Sequence, residues 1–324
     1  SFSSSADITA DNGTLAAMSS ADNVTWTGTF TPTANTEDAS NTLSLATSYT
    51  DTAGNAGPAA TTANYAVETL APTVNSVAIS SASGVQNSLL NAGDNVSVTA
   101  TFSESVIVDN ASGTPTLTLV VGSDNRTSTY TSGSGSTPLV FQYTIQAGET
   151  DADGISIEAN TLALNSGTIR DAAGNNATIT YSSVSANTSY KVDNTAPSVD
   201  NFTLSDTALK AGDTATVTLR FSEAVASFAS GDDITVASGS GSLANMSSSN
   251  NITWTGTFTP TANTEDASNT LSLATSYTDT AGNAGPAATT ANYAVETLAP
   301  SVNSFTLSDT ALKAGDTATL TLVF

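Results

Sequence analysis

The chain contains no cysteine and no histidine, and only six of its 324 residues are lysine or arginine. Without Cys, disulfides and thiolate zinc sites are excluded. Without His or Cys, the usual nucleophile–base pairings of covalent catalysis are missing, and no acidic pair stands outside the repeats, so no enzyme is expected. Six cationic side chains against 29 acidic ones leave a formal charge of -23. That balance disfavours nucleic acid, whose phosphates need basic contacts, and it disfavours anionic membrane surfaces. No apolar run approaches the roughly 20 residues of a membrane span, so no membrane insertion is expected. A signal peptide is also missing, and the stretch reads as mature or interior sequence. Finally, no long segment holds a 3.6-residue period, so no helix is expected.

What is abundant is Thr, Ser, Val and Ala in alternation. "VTWTGTFTP" from Val24 and "TATVTLRFS" from Thr214 show the period of two that marks half-buried strands. Clusters of Gly, Asn, Asp, Ser and Pro separate such runs and supply turns.

Internal repeats set the organisation. Thr25 to Pro72 recurs letter for letter as Thr253 to Pro300, 228 positions later, and "FTLSDTALKAGDTAT" at Phe202 recurs 103 positions later at Phe305. These offsets predict residues 198–300 as a complete domain. A longer, divergent relative occupies 73–197. There "AGDNVSVTATFSESV" from Ala92 parallels "AGDTATVTLRFSEAV" from Ala211, and "RDAAGN" from Arg170 parallels "TDTAGN" from Thr278. Residues 1–72 read as a domain without its first two strands, and 301–324 as those two strands of a further domain.

About 100 residues with seven short strands read as an immunoglobulin-like β-sandwich, here in a linear tandem array. For 198–300 the expected strands are 200–205, 214–221, 233–237, 243–247, 251–258, 270–277 and 289–295. The expected core is Phe202, Leu204, Val217, Leu219, Phe221, Ile234, Trp254, Phe258, Leu271, Leu273, Tyr277 and Tyr293.

"FSEAV", D-x-A-G-N and the "VDNTAP" or "VETLAP" linker, in that order and spacing, resemble the bacterial Ig-like repeats of giant calcium-dependent cell-surface adhesins. Those are the type I secreted, biofilm-associated, RTX-adhesin-like proteins, and the resemblance spans the chain. It implies an extracellular extender, or stalk, at the bacterial surface, with calcium at domain junctions and neighbouring Ig-like domains as partners.

The carboxylates support Ca²⁺ on their own. In a sandwich of alternating strands, the loop just after the second strand, which carries the Glu of "FSEAV" or "FSESV", the D-x-A-G-N loop and the incoming linker share one end. This gathers Glu223, Asp279, Asn283, Asp193 and Asn194, and in the middle domain Glu68, Glu104, Asp171 and Asn175. By repetition Asp51, Asn55 and Glu296 are further candidates. Ca²⁺ takes six to eight oxygens at about 2.3–2.6 Å, and unpaired carboxylates in one place would otherwise repel. The competing reading is that D-x-A-G-N is simply a good turn. A second acidic group, "GETDADG", offers Glu149, Asp151 and Asp153 at the opposite end. It lacks the length and the distal Glu of an EF-hand, and a solvated acidic turn is its alternative.

The rival to a stalk is a carbohydrate- or protein-binding module in the middle domain, with Asp109 to Tyr130 as its surface. A last expectation concerns 301–324. This pair of strands should complete the 1–72 sandwich of the next copy in a head-to-tail fibre, either between separate molecules or along a longer repetitive chain. The strands at 301–324 stop short of a "SEAVA" segment, so that composite site would lack one Glu ligand.

Overall fold

The computed structural model describes residues 1–324 and divides them into two units. One unit comprises Ser1–Gly84, Gly93–Ile145 and Asp151–Val192, and the other comprises Val85–Ala92, Gln146–Thr150 and Asp193–Phe324. Both are built from β-strands. The exceptions are two single helical turns, Ser4–Asp7 and Ser230–Asp233, where no helix is expected from periodicity. Each is a local cap. Asp233 accepts a hydrogen bond from the Ala229 N–H at 2.7 Å and another from Ser276 Oγ, which closes one turn without any helical pattern.

The second unit carries a β-sandwich. Val199–Leu204 pairs antiparallel with Ala215–Phe221, which pairs with Thr253–Pro260, which pairs with Gly241–Leu243. The opposing layer is broken into two short sheets. Ile234–Val236, Leu271–Leu273 and Ala288–Thr289 form one. Ala208–Lys210, Tyr293–Glu296 and Glu265–Asn269 form the other, where the first pair runs parallel. The break has a visible cause. The register shifts between Asp266 and Asn269, and buried Asn269 turns its Nδ2 onto the Asp266 and Tyr293 carbonyls. A side-chain amide replaces ladder bonds there, as at a bulge.

Alternation along Ala215–Phe221 sends Ala215, Val217, Leu219 and Phe221 inward, where all four are buried. They meet Phe258, Leu271, Leu273, Tyr277, Tyr293 and Val295 in one core. Of the expected core, Trp254 alone is half-buried, packed edge-on against Phe228 at 4.9 Å.

In the first unit a larger sheet runs Thr116–Val121, Asp124–Ser132, Ser136–Thr144, Asn95–Asp109 and Thr168–Arg170, with Val74–Ser83 also paired to Asn95–Asp109. Asn95–Asp109 is one long strand, and Glu104 lies inside it rather than after its end. The register against Ser136–Thr144 shifts between Thr101 and Val106, so Glu104 sits in a bulge. Bulges re-aim side chains in this way. The segment Asp109 to Tyr130, the surface named for the rival binding-module reading, is largely a hairpin. Thr116–Val121 pairs with Asp124–Ser132 in register, and Leu117, Leu119 and Val121 are buried.

Residues 1–72 keep the strand pairings described next, with the counterpart of Thr253–Pro260 shortened to Phe30–Pro32, but not the burial of the repeat. Ile8–Ala10, Leu43–Leu45 and Ala60–Thr61 form one sheet, Gly13–Leu15 pairs with Phe30–Pro32, and Glu37–Asn41 pairs with Tyr65–Glu68. Phe30, Leu43, Leu45, Tyr49 and Tyr65 are only half-buried. Their letter-for-letter counterparts Phe258, Leu271, Leu273, Tyr277 and Tyr293 are fully buried.

Candidate metal centre

The D-x-A-G-N motif occurs three times, and each copy folds into the same turn. In the second unit Asp279 Oδ1 accepts the N–H groups of Ala281 (2.8 Å) and Asn283 (2.9 Å), and its Oδ2 accepts Asn283 Nδ2 at 2.9 Å. Asp171 holds Gly174 and Asn175 likewise, at 2.7 and 2.8 Å, and Asp51 holds Ala53 and Asn55, both at 2.9 Å. The glycines take φ of 91°, 98° and 94° at Gly54, Gly174 and Gly282, the left-handed region that disfavours a Cβ. The turn therefore forms whether or not other acids stand nearby.

What distinguishes the copies is the company each Asp keeps. After Phe221 the chain bends, and Val225 bridges to Asp279 while the Ala226 N–H donates to the Thr278 carbonyl at 2.8 Å. That pairing fixes Glu223 beside the turn. Asn283 Nδ2 reaches the Asp193 carbonyl at 2.9 Å, which draws in the linker. As a result, Asp193, Glu223 and Asp279 each present an oxygen within 4.8 Å of the others, with Asp279 buried. Burial first, then the charges of Asp279 and Asp193, push the Glu223 carboxyl above its ordinary range. The strained partner is thus the Glu, while Asp279 is held by donors.

A related arrangement forms in the first unit. Asn175 Nδ2 donates to Asp171 Oδ2 at 2.7 Å and to the Glu68 carbonyl at 3.2 Å. Glu104 is pushed up by burial, then by Asp171, Glu68 and Glu37. For Asp171 the largest influence, burial, pushes upward, yet the bonds from Asn175 and the turn's N–H groups leave it lowered. Glu68, Glu104 and Asp171 are not drawn within the 4.8 Å of the second unit's trio.

The remaining candidates are dispersed. Asp51 and Asn55 form an exposed turn, and Glu296 is exposed on its strand. Asn194 is turned away from the trio, with its Nδ2 donating to the Gln146 and Glu149 carbonyls at 3.2 and 2.8 Å. Asp151 is buried as a turn cap, accepting from the Gly154 and Gly122 N–H groups at 2.7 and 2.8 Å, whereas Asp153 is exposed. Glu149 accepts from the Gln146 N–H at 2.9 Å. Within "GETDADG", Asp151 thus serves as a backbone cap while Asp153 faces solvent. Sequence reasoning missed Asn87 and Asn91, whose Nδ2 groups donate to the Thr280 and Ala281 carbonyls at 2.9 and 3.0 Å and clamp the D-x-A-G-N turn. No pattern in "SGVQNSLLNAG" marks them.

The trio fits a hard divalent cation. One ion at about 2.3–2.6 Å from each ligand can span oxygens up to roughly 5 Å apart, and the three oxygens lie within 4.8 Å. Arg126 and Arg220 pair with Asp124 and Asp200, carboxylates outside the trio.

The raised Glu223 carboxyl gives a pH test. An acid whose folded pKa exceeds its unfolded value binds its proton more tightly when folded, so stability falls as pH rises through that window. In chelator, the second unit is expected to melt at a higher temperature as the pH drops from neutral into the window between the ordinary Glu value and the raised Glu223 value. Glu223→Gln should flatten that rise and raise the melting temperature at neutral pH. Calorimetry of both proteins across that range decides it, and parallel profiles would refute the assignment.

Comparison with known proteins adds the following. The family model described as "Bacterial Ig-like domain" matches residues 2–67 and 193–295. No curated protein matches the chain. Among solved structures, the chain is similar to FdeC, described as a broadly conserved Escherichia coli adhesin, at 14% identity and a TM-score of 0.34, covering 89% of this chain and 85% of that one. It is also similar to the Bacteroides ovatus SGBP-B of a mixed-linkage glucan utilization locus, solved with a mixed-linkage heptasaccharide. There the identity is 16% and the TM-score 0.18, covering 86% of this chain and 60% of that one.

Proposed function

The chain belongs to the bacterial Ig-like domain family, and from that premise we propose that it is a structural stalk segment of a secreted, surface-exposed bacterial adhesin, stiffened by Ca²⁺. The observation that carries this reading is the trio Asp193, Glu223 and Asp279, brought within 4.8 Å from three remote segments, one of them the linker. Near-identical repeats favour length over a unique ligand surface. A row of domains, each with its own core, adds reach with each copy.

In this reading the protein's residues do three things. Asp279 stands pre-set by its turn, Glu223 completes the ligand set, and Asp193 ties the entering linker to the sandwich it leads into. Asn283 is a positioning residue that holds both Asp279 and the linker carbonyl. Ca²⁺ supplies the charge that relieves Glu223. In the first unit, Glu68, Glu104 and Asp171 with Asn175 form a second, looser candidate of the same type.

Substitution separates ligands from bystanders. Asp279→Ala and Asp193→Ala should each weaken calcium binding by roughly tenfold or more, on the order of a lost charged partner. Asp232→Ala should not, because Asp232 is exposed and outside the trio. Titration calorimetry of the three variants reads the difference, and equal affinities would overturn the site.

A further inference from the structure

Between Val74–Ser83 and Asn95–Asp109 the chain makes a small hairpin that a sandwich of this type does not require. Gln86 and Leu89 exchange backbone N–H to carbonyl bonds, at 2.9 and 2.8 Å, around Asn87 and Ser88. Both central residues take positive φ, 51° and 66°, the pattern of a two-residue type I′ turn. The corresponding stretch of the complete sandwich, "SDTALKAGD" from Ser205, is shorter, lacks the Asn–Ser turn and has Lys210 where Asn91 stands. The core there closes without such a hairpin.

What the hairpin holds is the metal candidate. Asn87 Nδ2 donates to the Thr280 carbonyl at 2.9 Å and Asn91 Nδ2 to the Ala281 carbonyl at 3.0 Å, both inside the D-x-A-G-N turn of Asp279. The fit is close. Ala281 is fully buried, and a Cβ built at Gly282 would stand 2.4 Å from Gln86 Nε2 and 3.2 Å from Asn91 Nδ2. Just beyond the hairpin, the Ala92 N–H donates to Asn194 Oδ1 at 2.5 Å, and Asn194 directly follows Asp193. One loop thus grips two of the three acid-bearing segments, the turn and the linker. It carries no carboxylate of its own.

We propose that Gln86–Ala92 is a positioning latch for the cation site, with Asn87 and Asn91 as its contacts on the turn and Ala92 as its contact on the linker. The inference rests on the reading of Asp193, Glu223 and Asp279 as a Ca²⁺ site. Ligands that must be ordered when the ion arrives cost conformational entropy, and ligands already held in place do not. The latch holds the turn and the linker to a common support, so it acts on affinity without touching the ion. Such coupling is reciprocal: a latch that tightens the ion is itself tightened by the ion.

Full-length chains test this. Asn87→Gly removes one amide and still suits the positive φ, and Asn91→Ala removes the other. The Asn87→Gly/Asn91→Ala chain is expected to bind Ca²⁺ at least about fivefold more weakly in titration calorimetry, the low end of ordinary coupling between sites. Ser88→Gly keeps both amides and eases the turn, so it should retain the native affinity. A second measurement needs no metal. In chelator, the Ala281 and Asn283 amides, which donate to Asp279 Oδ1, should exchange hydrogen about fivefold or more faster in the double variant, as two lost bonds imply. The amides of Ala215–Phe221 should stay protected, showing an intact sandwich. In the native chain, Ca²⁺ should slow exchange at Gln86 and Leu89, and Asp279→Ala should abolish that slowing. Unchanged affinity or unchanged turn exchange in the double variant would overturn the latch and leave the calcium site standing, as would hairpin amides that ignore Ca²⁺ in a chain that binds it. A native chain that takes up no Ca²⁺ would overturn both.

Discussion

Millimolar Ca²⁺ is expected to raise the melting temperature of the second unit by about 10–20 °C over chelator. A ligand at 100-fold its dissociation constant, bound only by the folded state, adds about 2.7 kcal/mol. For a domain near 100 residues, each kcal/mol moves the midpoint by about 4–8 °C. Asp193, Glu223 and Asp279 come from three segments, so their oxygens lie within 4.8 Å of each other in the folded sandwich but not in an unfolded chain. That is the condition for linkage. Scattering should report a longer, narrower particle with Ca²⁺, since Asp193 is a linker residue. Identical melting and scattering in the two buffers would remove the calcium reading while leaving the sandwich assignment intact. Asp232→Ala should retain the whole shift, and Asp279→Ala should lose most of it.

The sandwich was legible because each layer of the sequence agrees. Alternation along Ala215–Phe221 and Thr253–Pro260 gives strands, the 103-residue offset gives a domain length, and D-x-A-G-N gives a turn. The layer opposite was less legible, because its breaks depend on buried Asn269 and a register shift rather than on a local pattern. Glu104 was placed after a strand by analogy with Glu223, yet the strand runs through it and bulges. Two single helical turns escaped because a cap such as Asp233, not a periodicity, makes them.

The site was partly legible. Three remote acidic stretches could be brought to one end by topology alone. What sequence could not divide was labour among them. Asp279 gives its Oδ1 to backbone N–H groups, Asn283 serves the turn and the linker carbonyl, and Asn194 turns away to the Gln146 and Glu149 carbonyls. In "GETDADG" the acids look equivalent as letters, but Asp151 is a buried cap and Asp153 is solvated.

Identical letters in two settings permit an unusually clean mutational contrast. Phe258→Ala is expected to destabilise the second unit by about 3–5 kcal/mol, the usual cost of truncating a buried Phe. Against a total of about 5–15 kcal/mol, that is a fifth or more of the stability of the sandwich. Phe258 is fully buried and meets Tyr293 edge-on at 5.1 Å. Phe30 sits in the same sequence and meets Tyr65 edge-on at 5.2 Å, but it is half-buried beside an open cavity. Phe30→Ala should therefore cost well under half as much in dilute solution, since less area leaves water and no closed void is created. Denaturant melts of both variants read this directly. Equal costs for the two substitutions in dilute solution would mean that residues 1–72 bury their core without help.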